Sequence, residues 1–185
     1  MTLMNDLVTD TTTHYHGRYL SLLERDGWEY VSRSNASGVA VLIAVTDAGE
    51  ILLVDQYRKP LARRVIELPA GLVGDQSDPD EPLLQAAGRE LEEETGYAAD
   101  RMEVLMACPS SAGMCDEVVT FVLATGLRRV GPGGGDASED IETLPVPLVE
   151  VDDWLARQLE AGAALDPKIY AALYWLQRTG HHAPA

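Results

Sequence analysis

The sequence predicts an α/β (α+β) fold in which a mixed β-sheet is sandwiched between helices. Residues 39–45 form an unbroken, largely β-branched run, the pattern of a strand covered on both faces. Asp47, Ala48, Gly49 and Glu50 then turn the chain into a second run, 51–57, which reads as the partner strand of a hairpin. Strands and helical stretches interleave without a regular βαβ rhythm, and a hairpin argues against an all-parallel sheet.

The remaining elements follow in order. Residues 1–17 are polar and Thr-rich and read as a ragged start. Two short strands flank Arg25-Asp26-Gly27, a turn signal. Residues 65–68 form a short strand running into Pro69-Ala70-Gly71, and 71–82 is a loop rich in Gly, Asp and Pro. Asp80 is the expected N-cap of a helix that runs to about Glu94 and stops at Gly96, the C′ glycine. Residues 103–106 and 118–124 are further strands. Residues 129–140 hold Gly131-Pro132-Gly133-Gly134-Gly135 and read as a mobile loop, after which 141–146 returns as a strand. Amphipathic helices at 148–160 and 167–178 close the chain. The division expected is an N-terminal hairpin and possible dimerisation arm over 1–38, then one catalytic-sized domain over 39–185.

Length and composition bound the function. A chain of 185 residues with 46% apolar content buries one full-sized core. The longest apolar run, 39–45, is far short of the ~20 residues that span a bilayer. The start of the chain has no basic residue before Arg18 and no apolar segment, so a cytoplasmic protein without membrane attachment is expected. Cys108 and Cys115 have no partner at zinc-ligand spacing and read as reduced thiols. The net charge of −16 repels phosphodiester backbones and argues against a nucleic-acid groove. Histidines 14, 16, 181 and 182 read as surface or tail residues.

Residues 81–97 carry the chemistry. Leu84, Ala87 and Leu91 fall on one helical stripe and read as its buried face. At about 100° per residue, Glu90, Glu93 and Glu94 gather on the flank beside that stripe, while Glu92 points away. Like charges at i, i+3 and i+4 repel, and acids in a last turn oppose the helix dipole. Arg89 reaches Glu93 at i+4 but cannot balance three anions. A hard divalent cation with oxygen ligands would balance them; a solvated acidic helix is the bland alternative.

From Glu81 onward this stretch resembles the signature of the Nudix hydrolases, G-x5-E-x7-R-E-U-x-E-E-x-G-U, with U a bulky apolar residue. Glu81, Arg89, Glu90, Leu91, Glu93, Glu94, Gly96 and Tyr97 all match. The leading glycine departs from it: Gly71 precedes Glu81 by nine residues rather than five, which reads as a four-residue insertion in the loop. The resemblance implies an α-β-α sandwich and a Mg²⁺ (or Mn²⁺) pyrophosphohydrolase. Glu90 and Glu94 would be the main metal ligands, Glu93 a ligand or base, and the Ala70 carbonyl would complete the set. Arg89 would orient a carboxylate. Glu139, in a segment similar to the family's mobile acidic loop, would be the general base, with Asp136, Asp140 and Glu142 as competitors.

Two further segments resemble the ADP-ribose and nucleoside-diphosphate-sugar branch. In Gln56-Tyr57-Arg58 and Ile66-Glu67-Leu68-Pro69-Ala70-Gly71, Arg58 would offer a fork to phosphate or ribose and Glu67 an acceptor. Residues 110–117, with Gly113, are similar to the branch's substrate loop but carry Ala112 where proline is usual. That departure leaves GDP-mannose and other sugar nucleotides open beside ADP-ribose. Trp28 is a candidate for stacking on the base or for the core, and relatives that exchange N-terminal strands imply a homodimer in which Trp28 and Arg58 serve a neighbour's site. Trp154, Tyr170, Tyr174 and Trp175 read as core or interface. The rival readings are a Nudix enzyme for UDP-glucose, a dinucleoside polyphosphate, coenzyme A or an oxidised nucleotide, and a Nudix-fold ADP-ribose sensor without catalysis. Sensors commonly lose acids from the box, and this chain keeps all three.

Overall fold

The computed structural model describes residues 10–75, 78–135 and 139–180. The N-terminal strands β1 (Thr11–His16), β2 (Leu20–Arg25) and β3 (Trp28–Arg33) form an antiparallel three-stranded sheet. Asp26 and Gly27, both at positive φ, make the tight turn between β2 and β3. Residues 11–16 are therefore a strand, not part of a ragged start. Their side chains are exposed throughout, so the segment lacks the apolar alternation by which a strand is read.

The body contains two four-stranded sheets. One has the order β7 (Ala70–Val73), β4 (Gly38–Ala44), β9 (Val118–Arg129), β8 (Tyr97–Pro109). The other has β10 (Ile141–Pro147), β5 (Glu50–Arg58), β6 (Arg63–Glu67), β11 (Ala164–Leu165). Both are mixed: β4 runs parallel to β9 and antiparallel to β7, and β11 runs parallel to β6.

Strands β4 and β5 do not form the expected hairpin. They join only at the bridge Val45↔Ile51, around a turn in which Gly49 takes φ 78° and the Thr46 amide bonds Glu50 O at 2.9 Å. A strand has two hydrogen-bonding edges, and both edges of β4 are taken, by β7 and β9. Those of β5 are taken by β6 and β10. The turn is thus a corner between two sheets.

Burial on both faces explains the continuous apolar run of β4. Val41 and Ile43 join Ile51, Leu53, Phe121, Leu155, Ile169 and Leu176 in a core closed by helices α2 (Val151–Glu160) and α3 (Lys168–Thr179). Ala40, Leu42 and Ala44 face the other way, onto Ala86, Ala87 and Leu91 of helix α1 (Leu83–Thr95). The result is helix, sheet, helix. Full burial of Leu91 alone contributes about 1.5–3 kcal/mol. Leu84 is 42% exposed, and Ala86 takes its expected place in the stripe. Trp154 packs against the core and Trp175 donates to Met106 Sδ, whereas Tyr170 and Tyr174 are exposed. Cys108 and Cys115 are free thiols.

Candidate active site

Helix α1 begins after Pro82, and Asp80 does not cap it; the Asp80 amide instead bonds Asp78 Oδ1. Its far end is held from outside. Gly96 takes φ 75°, and the amides of Gly134 and Gly135 donate to the carbonyls of Glu94 and Glu93 at 2.8 and 2.9 Å. Val130 and Gly131 donate to Gly96 O, and Thr143 Oγ1 to Glu94 O. The 131–135 segment is therefore not the free loop expected from its glycines: it satisfies carbonyls that a helix C-terminus leaves orphaned. Its approach is so close that a Cβ on Gly133 would lie 2.6 Å from the Thr95 carbonyl carbon.

The three flank acids of α1, Glu90, Glu93 and Glu94, have unequal surroundings. Glu94 is 2% exposed and accepts from the Ala70 amide at 3.0 Å, which ties the helix to the start of β7. Burial pushes its carboxyl well above the usual range, against that hydrogen bond. Glu90 is 8% exposed and lies against Gly71, where a Cβ would fall 1.8 Å from Glu90 Cδ. Burial pushes Glu90 up to about 7, opposed by Arg89. Glu93 is more open.

Arg89 organises this group. Its Nη1 donates to Glu90 Oε1 at 2.7 Å and Glu93 Oε2 at 3.2 Å. Its Nε and Nη2 both bond Glu81 at 3.1 Å, and Nη2 also bonds Leu72 O. Glu81 in turn accepts from the Gly74 amide, and its hydrogen bond to Arg89 lowers its pKa. The extra loop residues leave the Glu81–Arg89 pair intact.

A cleft of about 480 Å³ opens over these residues, lined among others by Arg58, Glu67, Ala70, Gly71, Arg89, Glu90, Glu93 and Glu139. Glu94 is not among the lining residues but is bonded to one of them, Ala70. Arg58 and the buried Glu67 are bound to each other through two hydrogen bonds of 2.6 and 2.9 Å, which raise the Arg58 pKa. Gln56 Nε2 reaches Glu139 Oε1 at 3.5 Å. Of the acids considered beside Glu139, Asp140 is engaged by Arg64 at 2.9 Å, Glu142 is paired into β10 away from the lining, and Asp136 lies outside the described residues.

Trp28 and Gly113 meet elsewhere. Trp28 Nε1 donates to Gly113 O at 3.2 Å, and Trp28 borders a separate cavity with Tyr30, Ala112 and Cys115. Four more bonds fasten β3 to this loop: Val31 amide to Met114 O, Asp116 amide to Val31 O, Ser32 to Asp116 and Arg33 to Glu117. Arg33 and Glu117 also line the main cleft, as do Asp75 and Lys168. Glu117 ends the segment that resembles the branch's substrate loop, whereas Arg33, Asp75 and Lys168 carry no sequence signal in a single chain, because each arrives from a different element. His14 and His16 bond Glu24 and Ser21 on the exposed N-terminal sheet, and His181 and His182 lie outside the described residues.

Among the described residues no three carboxylate, His or Cys side chains already form a metal-ligating cluster. The donor set nevertheless suits a hard divalent cation. Burial raises the pKa of two of the carboxylates, Gly71 leaves room for one of them against the backbone, and Arg89 Nη1 is shared between Glu90 and Glu93.

The NUDIX domain family model matches residues 36–173. The chain is 38% identical over 141 residues to the ADP-ribose pyrophosphatase of Bacillus subtilis, covering 76% of this chain and 72% of that one. It is 34% identical over 141 residues, with the same coverages, to the methanol dehydrogenase activator of Bacillus methanolicus. A crystal structure of an ADP compounds hydrolase superposes with a TM-score of 0.69 at 21% identity, covering 92% of this chain and 94% of that one, a likeness of fold.

Proposed function

This chain belongs to the Nudix family, as a hydrolase of its ADP-ribose and nucleoside-diphosphate-sugar pyrophosphatase branch, and on that premise we propose that it cleaves ADP-ribose to AMP and ribose 5-phosphate. The observation that carries this reading is that Glu90, Glu93, Ala70 and Arg89 line one polar cleft, with the buried Glu94 bonded to the Ala70 amide. Nudix hydrolases generally use divalent metals, and Mg²⁺ is our choice, with Mn²⁺ as its substitute. Glu90, Glu94, Glu93 and the Ala70 carbonyl would hold the ion. Once bound, it supplies Lewis acidity toward the phosphoryl oxygens and acidifies a bound water.

The chain's own groups do the rest. Arg89 keeps the carboxylates of Glu90 and Glu93 oriented. Glu139 takes the proton of the attacking water at a carboxylate oxygen as the new P–O bond forms and the bridging P–O bond breaks, with Glu93 as its competitor for this role. The donors of Arg58 not bound to Glu67 are available to the substrate, and Glu67 keeps that guanidinium in place. We assign stacking on the base to Trp28, a residue 64% exposed beside Gly113. In our reading residues 1–38 are an arm through which two copies pair and Trp28 serves the neighbour's site, whereas Arg58, expected to do the same, lines the cleft of its own chain. The net charge of −16 supports a small-molecule substrate over nucleic acid, and we place the protein in the cytoplasm, away from membranes.

The test is to incubate the protein with Mg²⁺ and, separately, ADP-ribose, GDP-mannose, UDP-glucose and diadenosine polyphosphates, beside the variant Glu94→Gln. AMP and ribose 5-phosphate from ADP-ribose, reduced at least about 100-fold in the variant, are expected. Turnover of another compound alone would keep the mechanism and replace the substrate, an outcome that Ala112 makes worth testing. Binding of ADP-ribose without turnover of any compound would make the protein a sensor.

A further inference from the structure

Four cations line the cleft: Arg33, Arg58, Arg89 and Lys168. The three guanidiniums take acidic partners within the surrounding framework, namely Glu117, Glu67, and Glu81 with Glu90 and Glu93. Lys168 differs in origin and in chemistry. It opens α3, just after the short strand β11, which is pinned to β6 at Ala164↔Val65 and Leu165↔Ile66. Asp166 extends that anchor. Its amide bonds Ile66 O at 2.9 Å, its Oδ1 accepts the Lys168 amide at 2.7 Å, and its Oδ2 accepts Lys168 Nζ at 2.6 Å.

One carboxylate therefore holds both the backbone and the ammonium of Lys168, next to the residue in β6 that precedes Glu67. Such a pair alone would be an ordinary helix-start contact. Its position is what separates it from one: Lys168 faces the cleft, 30% of its side chain is exposed, and an ammonium has three donors of which Asp166 takes one.

The rest of the lining indicates what those donors meet. No aromatic residue is among the described residues that line the cleft, which carry amide, guanidinium, carboxylate and ammonium groups over short apolar side chains. A nucleobase wants a flat ring to stack on, and the candidates for that, Trp28 and Tyr30, border the other cavity. A phosphorylated sugar wants hydrogen-bond donors and acceptors in number. We propose that Lys168 is a substrate-binding residue that holds the phosphosugar half of the substrate, donating its two remaining N–H groups to phosphate or hydroxyl oxygens, with Asp166 as its positioning residue. This rests on the nucleoside-diphosphate-sugar reading of the same cleft.

The chain contains two lysines, Lys59 and Lys168, so amine chemistry reads the site directly, with Lys59 as internal reference. The wild-type protein would be acylated with a lysine-reactive reagent alone, with ribose 5-phosphate and with AMP, and the two sites quantified by peptide mass spectrometry. Ribose 5-phosphate is expected to slow modification of Lys168 several-fold relative to Lys59, and AMP is expected to leave it unchanged. Absence of protection, or protection by AMP alone, would overturn the proposal. In steady-state kinetics Lys168→Gln should raise KM for ADP-ribose and the inhibition constant of ribose 5-phosphate at least about tenfold, through the loss of its charged hydrogen bonds, with kcat within about threefold. Lys168→Arg should restore most of the affinity, and unchanged constants in folded Lys168→Gln would sink the assignment. If wild type turns over no sugar nucleotide, the functional reading fails on that observation, while protection of Lys168 is still measured.

Discussion

Gly71 matters through the side chain it lacks. Its missing Cβ is the space in which Glu90 lies, so Gly71→Ala should displace that carboxylate and lower activity about 10–100-fold. Overpacking of this kind costs about 1–3 kcal/mol, so the variant should still fold, and circular dichroism beside kinetics would separate the two effects. The buried acids also predict a pH dependence. Glu90 and Glu94 are held above their ordinary range, Glu90 at about 7, so the folded, metal-free protein binds protons that the unfolded chain releases. The resulting stabilisation is complete below about pH 4.5 and lost as pH rises through about 7. The metal-free melting temperature should therefore fall by several degrees between pH 5 and pH 8, and Mg²⁺, which competes with those protons, should raise it more at pH 8 than at pH 5. A rising metal-free curve would show that these carboxyls are not buried as described.

Among the elements, α1 is stabilised at a place where its own sequence is unfavourable. Four acids crowd its C-terminal half, no basic residue sits in its last turn, and its N-cap makes no side-chain hydrogen bond. Packing of Ala86, Ala87 and Leu91 on β4 offsets this from one side, and the 131–135 segment from the end. Gly133 has φ 71° and touches Thr95, so Gly133→Ala is strained twice. It should destabilise the protein by about 2 kcal/mol or more, lowering the melting temperature by about 4–8 °C in calorimetry. Because the same segment leads into Glu139, turnover should fall more than stability predicts. An unchanged melting temperature would mean that the clamp contributes nothing to the helix.

At the scale of the whole molecule, the N-terminal sheet is fastened to the body by the bonds from β3 to residues 113–117, one of which joins two cleft-lining residues, Arg33 and Glu117. It also exposes the large side chains of Tyr15, Tyr19, Leu20 and Trp28. If that face pairs two copies, light scattering should give a mass of about 40 kDa, twice the chain's 20.1 kDa. Replacing Trp28 and Tyr15 together by Ser should shift the mass toward the single chain, and a wild-type mass of about 20 kDa would end the dimer reading.

The buried strand β4, the acidic helix α1 and its stop at Gly96 were all legible in residue order, because each depends on contacts within a few residues or on a local backbone preference. Glu90, Glu93 and Glu94 could be grouped for the same reason, since helical spacing alone places them on one flank. What the chain order could not show is how distant segments compete for the same partner. Strand β5 follows β4 like a hairpin partner in residue order, yet β7 and β9 claim both edges of β4 from about 30 to 80 residues away. The glycines at 131–135 read as freedom because the helix end they clamp lies far earlier in the sequence. Trp28 and Gly113 meet over 85 positions, and Lys168 reaches the cleft only because β11 docks on β6. Such pairings are decided by which edges, orphaned carbonyls and buried charges remain unsatisfied once the core has closed, a condition that exists only in three dimensions.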